Sequence, residues 1–308
     1  MNNTDLIIIG AGPAGATASI YAQRAGLNAL VFSGPFGGGQ LVQTNDVENY
    51  PGFVEPIGGF ELMDTVHKQA KRLGAQFVSE EIKSIDSASS PFTITTTNDK
   101  TYSAKAVIIA TGSRARWLDV AGENKYKGRG VSACATCDGF FYRGKEVVVI
   151  GGGNTAFEDA LFLSKICKKV YLVHRRAGFR AAQKTVDIAK ANPKIEMLIP
   201  YVAQEVIGDD NGVTALKIKN VADGSERSID CQGVFVAVGG IPQTDFLQGS
   251  NIALWPGGEV KVDERCRTNI EGIFAAGDCA DIYFRQAVIA AGNGAKAAIE
   301  AINYINLK

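Results

Sequence analysis

One short pattern occurs twice in this chain: an uninterrupted apolar run, a cluster of glycines, and then residues with helical spacing. The first copy is Leu6-Ile7-Ile8-Ile9 followed by Gly10-Ala11-Gly12-Pro13-Ala14-Gly15, and the second is Val147-Val148-Val149-Ile150 followed by Gly151-Gly152-Gly153-Asn154-Thr155-Ala156. In each, the first glycine permits the turn out of a strand and the second lets the backbone approach a pyrophosphate. Gly15 or Ala156 then allows a helix to pack closely on that strand. The N-terminus of the helix faces the phosphates with its partial positive charge. One such motif is weak, but two in strand–turn–helix context predict an α/β fold with two Rossmann-like dinucleotide-binding units. The candidate contacts are Gly10, Gly12, Pro13, Ala14 and Gly15 in one unit, and Gly151, Gly153, Asn154 and Thr155 in the other.

The two units differ where the ribose is read, about 20 residues beyond the glycines. In the second, Val170-Tyr171-Leu172-Val173 ends in His174-Arg175-Arg176 with Arg180 close behind. No carboxylate stands there for a 2′-hydroxyl, whereas guanidiniums suit a 2′-phosphate, so the pattern favours NADPH over NADH. In the first, Ala29-Leu30-Val31-Phe32 ends at Ser33-Gly34-Pro35 without the usual acid. The following Phe36-Gly37-Gly38-Gly39-Gln40-Leu41 and Val47-Glu48-Asn49-Tyr50-Pro51-Gly52 offer backbone and side-chain amides instead, with Ser33, Gly34, Gly38, Gly39, Gln40, Leu41 and Asn49 as candidates.

Two closing strands follow their units, Val107 to Ile109 running into Ala110-Thr111-Gly112, and Val234 to Val238 running into Gly239-Gly240. A last strand and turn, Gly272 to Asp278, places Gly277 and Asp278 near a cofactor hydroxyl, and Arg285-Gln286-Ala287 opens an Ala- and Gly-rich helix. If this segment completes the first nucleotide site, the second domain is an insertion. The expected organisation is residues 1–115, 116–242 and 243–308, with the first and third forming one discontinuous domain.

Just before the second nucleotide strand lies Cys134-Ala135-Thr136-Cys137-Asp138, whose C-x-x-C spacing permits a disulfide at the first turn of a helix. A structural zinc site needs four ligands, and the chain has no second C-x-x-C and only two histidines, so no metal is expected. Beside two nucleotide sites the pair suggests an electron route from NADPH through a flavin to a disulfide. Asp138 is the candidate proton source if burial raises its pKa, and also the candidate cap of the following helix. Cys167, Cys231, Cys266 and Cys279 stand singly and read as packing residues.

A chain of 308 residues, 46% hydrophobic, suits two domains with two cores. Lys plus Arg balances Asp plus Glu at 32 each, which argues against nucleic acid or an anionic membrane as partner. No stretch approaches the roughly 20 apolar residues of a membrane helix, and the N-terminus lacks the features of a secretion signal. A cytoplasmic protein is expected.

Taken in order, the glycine motifs, Gly38-Gly39-Gln40-Leu41, Val47 to Gly52, Ala110-Thr111-Gly112, Cys134-Ala135-Thr136-Cys137-Asp138-Gly139, His174-Arg175-Arg176 and Ala276-Gly277-Asp278 resemble those of the low-molecular-weight, bacterial-type thioredoxin reductases over nearly the whole chain. The dithiol between the two nucleotide motifs is the most discriminating part. The resemblance implies FAD on the discontinuous outer domain, NADPH on the inserted one, and Cys134–Cys137 as the reducible disulfide with Asp138 as acid. It also implies a homodimer, rotation of the NADPH domain, thioredoxin as protein substrate, and Arg129, Phe140 and Phe141 as docking residues. Cys279 and Phe284 depart from the family pattern around the flavin site. The competing readings are reduction of another carrier, of ferredoxin type or a peroxidase component, and a non-enzymatic redox-sensing module.

Overall fold

In the computed structural model, which describes residues 2–34, 37–44 and 46–307, the chain forms two compact units. One comprises Met1–Arg114 with Ile241–Lys308, and the other Ala115–Gly240. The chain passes between them along two short strands, Ser113–Ala115 and Gly240–Pro242, that pair with each other.

In the discontinuous unit the strand Asn2–Ile9 lies between Ala29–Phe32 and Thr101–Ile109, all parallel, with Leu6 to Ile9 opposite Ala29 to Phe32. Leu6 and Ile8 enter one core cluster while Ile7 and Ile9 enter the other, which is why the run is apolar without alternation. The long strand Thr101–Ile109 divides its outer edge. Residues 101–104 pair with antiparallel Phe92–Thr96, and Val107, Ile108 and Ile109 pair with parallel Ile273–Ala275. Residues returning from the far end of the sequence thereby become part of the first sheet. The helices Pro13–Arg24 and Ala287–Asn306 cross so closely that a Cβ on Gly294 would lie 2.1 Å from the Ala14 carbonyl oxygen.

The continuous unit carries, among the described residues, a five-stranded parallel sheet ordered Ile195–Leu198, Lys169–Val173, Glu146–Ile150, Gly233–Val236 and Val131–Ser132. Beside it stands a three-stranded antiparallel sheet of Tyr201–Asp209, Gly212–Asn220 and Glu226–Asp230. The two sheets share a core of Val148, Ile150, Val206, Leu216, Ile218 and Val234. Both units are therefore Rossmann-like. Among the described residues no helix is long and apolar enough to cross a membrane.

Candidate functional site

Parallel strands put all their carboxyl ends at one edge, and in the discontinuous unit that edge collects the predicted residues. Gly10 N donates to Phe32 O at 2.8 Å, Ala110 N to Ile9 O at 2.7 Å, and Ala276 N to Ile109 O at 2.9 Å. The glycines there serve different ends. A Cβ on Gly10, at φ +109°, would sit 2.1 Å from Ala110 O, and one on Gly15 would sit 1.9 Å from Gly10 O. Those two are required by the protein's own packing. Gly12 is extended and caps the helix Pro13–Arg24, and a Cβ there would meet nothing nearer than Gly38 O at 3.8 Å. No side chain caps that helix, so its first N–H groups are left to an external acceptor. Open space at Gly12 in front of free amides fits a dinucleotide phosphate.

This difference gives a prediction. Gly12→Val is expected to weaken flavin nucleotide binding at least about 10²-fold while the melting temperature of the nucleotide-free protein moves by less than about 4 °C. Gly15→Val is expected to destabilise the fold itself by ~3 kcal/mol or more. Nucleotide titration and thermal melts of the two variants check the contrast.

Around this cradle, Gly38 and Gly39 take positive φ, and a Cβ on Gly39 would lie 3.4 Å from Gly12 Cα, so the second glycine turn rests against the first. Gln40 Nε2 donates to Ser113 O, and Ser113 Oγ donates to Asp278 Oδ2 at 3.4 Å. Burial raises the Asp278 carboxyl above its ordinary value, against the pull of Arg285. Thr111 Oγ1 is buried without a hydrogen-bond partner among the described residues, and Gly112 O accepts from Gln243 N at 3.0 Å. Gly277 turns at φ +76° close to Ala14. Asn49 Nδ2 donates to Gln286 Oε1 at 3.2 Å.

Two predicted residues also have partners of their own within the unit. Leu41 packs against the small apolar cluster of Val47, Ile57 and Leu62. The Arg285-Gln286-Ala287 stretch does open the last helix, with Gln286 as its N-cap and Ala287 as its first residue, and Arg285 just before it is ion-paired with Glu259. Pro35 and Phe36 lie outside the described residues.

Ser33 and Gly34 line a cavity of about 250 Å³ together with Gly37, Met63, His67 and Ser79. His67 escaped the sequence reading. Its Nε2 donates to Ala11 O at 2.7 Å, fastening the helix Gly59–Arg72 to the glycine turn. The available signal was helical spacing, since Met63, His67 and Ala70 share the inward face of that helix.

In the continuous unit the second glycine turn is built alike. A Cβ on Gly151 would lie 2.4 Å from Ala237 O, whereas one on Gly153, the cap of helix Asn154–Ile166, would meet nothing within 4 Å. The His174 ring packs on Gly152, where a Cβ would fall 2.3 Å from it. Arg180 N donates to Gly152 O at 2.9 Å and Ala182 N to Asn154 Oδ1 at 2.8 Å, so the arginine loop is folded back on the turn. Arg175, Arg176 and Arg180 are exposed, and no ion pair among the described residues involves them. Burial lowers the His174 pKa, and the three guanidiniums lower it further. Thr155 is exposed at the helix start, as is Asn154. Three unpaired cations beside an open helix N-terminus fit a nucleotide carrying an additional phosphate.

Cys134 and Cys137 form a disulfide, with Cα atoms 5.3 Å apart, at the start of the short helix Ala135–Asp138. Cys137 N donates to Cys134 Sγ at 3.2 Å, and Cys134 N to Ser132 Oγ at 3.0 Å. Asp138 follows immediately. Burial raises its carboxyl pKa, and a hydrogen bond from Ser132 offsets part of the rise. The Tyr142 phenol nearby is pushed up to about 12 by burial and by Asp138. The other four cysteines are reduced and buried. Asp159, in the helix after the glycine turn, is pushed up to about 7 by burial and by Glu158, which sequence spacing gave no means of foreseeing. Phe140 and Phe141 are 56% and 42% exposed, so they do not fill the core. Arg143 lies over the Phe140 ring at 5.1 Å, and Arg129 Nη2 donates to Asp210 O.

A family model described as pyridine nucleotide-disulphide oxidoreductase matches residues 4–294. A thioredoxin reductase of Rickettsia conorii is 44% identical over 305 residues, 98% of each chain. The chain belongs to the thioredoxin reductase family. Among solved structures, a thioredoxin reductase from Giardia duodenalis superposes with a TM-score of 0.96 at 43% identity, covering 99% of this chain and 100% of the other. One from Streptococcus pyogenes gives 0.93 at 37% identity, covering 99% of both. Membership accounts for the pairing of a dithiol with two nucleotide turns in one chain.

Proposed function

We propose that this protein reduces the disulfide of thioredoxin at the expense of NADPH, with FAD as the intermediate carrier. The observation that carries the reading is the Cys134–Cys137 disulfide in the same compact unit as a glycine turn beside three arginines that form no ion pair among the described residues. The Gly10 to Gly15 turn, Gly38, Gly39, Gln40, Asn49, Thr111 and Asp278 would hold FAD, with Ser33 and Gly34 at its far end. Gly151, Gly153, Asn154, Thr155, His174, Arg175, Arg176 and Arg180 would hold NADPH. The bound pair supplies two-electron hydride chemistry, matched to the two electrons of a disulfide.

The chain's own residues then perform thiol–disulfide exchange. The N–H of Cys137, aimed at Cys134 Sγ, stabilises a thiolate there. That thiolate attacks the substrate disulfide, the partner cysteine resolves the mixed disulfide, and Asp138 exchanges the proton with the leaving sulfur. Exposed Phe140 and Phe141, with Arg129, form the surface on which thioredoxin docks. The protein acts in the cytoplasm as a homodimer.

The sign of the pH dependence follows from Asp138. A carboxyl whose pKa is raised keeps its proton above the ordinary 3.8 and loses it as pH rises through the raised value. Turnover limited by this acid is therefore greatest on the acid side of that value and falls above it. Asp138→Asn is expected to lower kcat/KM for thioredoxin roughly 10²-fold and to abolish the fall. Reduction of the flavin by NADPH should be unchanged, which rapid-mixing absorbance would show.

The direct test is anaerobic titration with NADPH followed at the flavin absorbance, and then addition of thioredoxin. Uptake of electrons by both flavin and disulfide, with reoxidation by thioredoxin, is expected. Flavin reduction without reoxidation by thioredoxin would move the substrate to another carrier.

A further inference from the structure

Arg285 is held in a way that its position in the sequence does not explain. Its backbone takes φ +49°, a left-handed conformation that residues with long side chains rarely adopt. The loop is fixed there by Asp281, whose carboxylate accepts from the N–H groups of Tyr283 at 2.8 Å, Phe284 at 2.9 Å and Arg285 at 3.0 Å. The guanidinium is fixed separately. Nη2 donates to Glu259 Oε1 at 2.7 Å, and Nε to Asp281 O at 3.3 Å. Glu259 is 7% exposed and the Arg285 side chain 28%, so the pair is buried on its carboxylate side and half-buried at the guanidinium.

Glu259 belongs to a tight turn in which Gly258 N donates to Trp255 O at 2.8 Å and Trp255 N to Glu259 O at 2.7 Å. The next residue, Val260, donates its N–H to Cys279 O at 2.8 Å. A single turn thus grips both sides of the carboxyl edge, the Asp278-Cys279 backbone through Val260 and the Arg285 side chain through Glu259. Arg285 in turn pulls the Asp278 carboxyl down against its burial. Next in the chain come Gln286, bonded to Asn49, and the start of the last helix.

We propose that Glu259 is a positioning residue for the flavin nucleotide site, anchoring Arg285 so that its charge and the start of the last helix face the ligand beside Asp278. The assignment rests on the flavin reading above. A purely structural carboxylate would affect folding equally whether or not Arg285 is present, and a positioning one acts through Arg285.

The test is a double-mutant cycle read as the Kd for FAD, measured by flavin fluorescence on protein stripped of nucleotide and retitrated. Glu259→Ala is expected to raise the Kd about tenfold, Arg285→Ala at least as much, and the double variant no more than twofold beyond Arg285→Ala. Glu259→Gln, which keeps the shape and one hydrogen bond, should recover part of the loss. An unchanged Kd in Glu259→Ala, or an equal fold-change with and without Arg285, overturns the assignment while leaving the flavin reading intact. Native protein that binds no FAD overturns both. If Glu259→Ala does not fold, Glu259→Gln with and without Arg285→Lys completes the same cycle.

Discussion

Serine at Cys134 or at Cys137 is expected to lower thioredoxin reduction by at least about 10³-fold, the scale of loss when a covalent nucleophile is removed, while leaving the flavin bound and reducible by NADPH. Exchange requires two sulfurs, one to form the mixed disulfide and one to resolve it, and a hydroxyl can do neither at neutral pH. The substitution isolates chemistry from folding. Cys134 is the N-cap of the helix Ala135–Asp138, with its sulfur accepting from Cys137 N, and serine is among the preferred N-caps, so the helix start survives. Cys137 is exposed and tolerates a smaller polar group. Two measurements on each variant check this: anaerobic reduction by NADPH, which should stop at the electrons taken by flavin alone, and steady-state turnover with thioredoxin. Turnover retained in either variant would remove the disulfide from the route.

What the sequence made legible was whatever the chain writes locally. Apolar runs without alternation marked strands buried on both faces, and Leu6 to Ile9 and Val147 to Ile150 are the central strands of their units. Glycine spacing marked the turns, because the need for close backbone approach leaves its signature in adjacent residues. The spacing could not separate the roles within a motif. Gly15 is demanded by the Gly10 carbonyl and Gly12 by nothing in the protein, a distinction visible only once the opposing atoms are in place.

Long-range pairings left no trace of that kind. Glu259 and Arg285 meet across a turn and a loop, and His67 reaches Ala11 from the helix Gly59–Arg72. Each is a single polar contact without periodicity, so no pattern in composition or spacing announces it. The backbone step at Arg285, just before the helix that starts at Ala287 as the sequence implied, left no trace either. Asp281, by taking three successive backbone N–H groups, turns the chain into a left-handed step that helix propensity alone does not foresee.

Replacing Arg175, Arg176 and Arg180 together with glutamine is expected to raise the KM for NADPH by about 10²- to 10³-fold and that for NADH by no more than about threefold. A charge-assisted hydrogen bond contributes ~1.5–3 kcal/mol and each ~1.4 kcal/mol is tenfold, so two or three such bonds account for the range. Exposure of the three side chains places them at the lower end, because salt screens exposed charges beyond ~8 Å at physiological ionic strength. The loss should therefore shrink as salt is raised. NADH lacks the 2′-phosphate and keeps the same open helix start at Gly153, so its binding does not depend on the arginines. Equal weakening of both nucleotides would mean that the loop only supports the turn through Arg180 N and Ala182 N. A second readout needs no nucleotide. The guanidiniums hold the His174 pKa down by repelling its imidazolium, so the triple variant should titrate that ring at higher pH, though burial still keeps it below the ordinary 6.5. An imidazole titration by NMR that shows no upward movement would place the three charges away from His174, and so away from the phosphate they are proposed to bind.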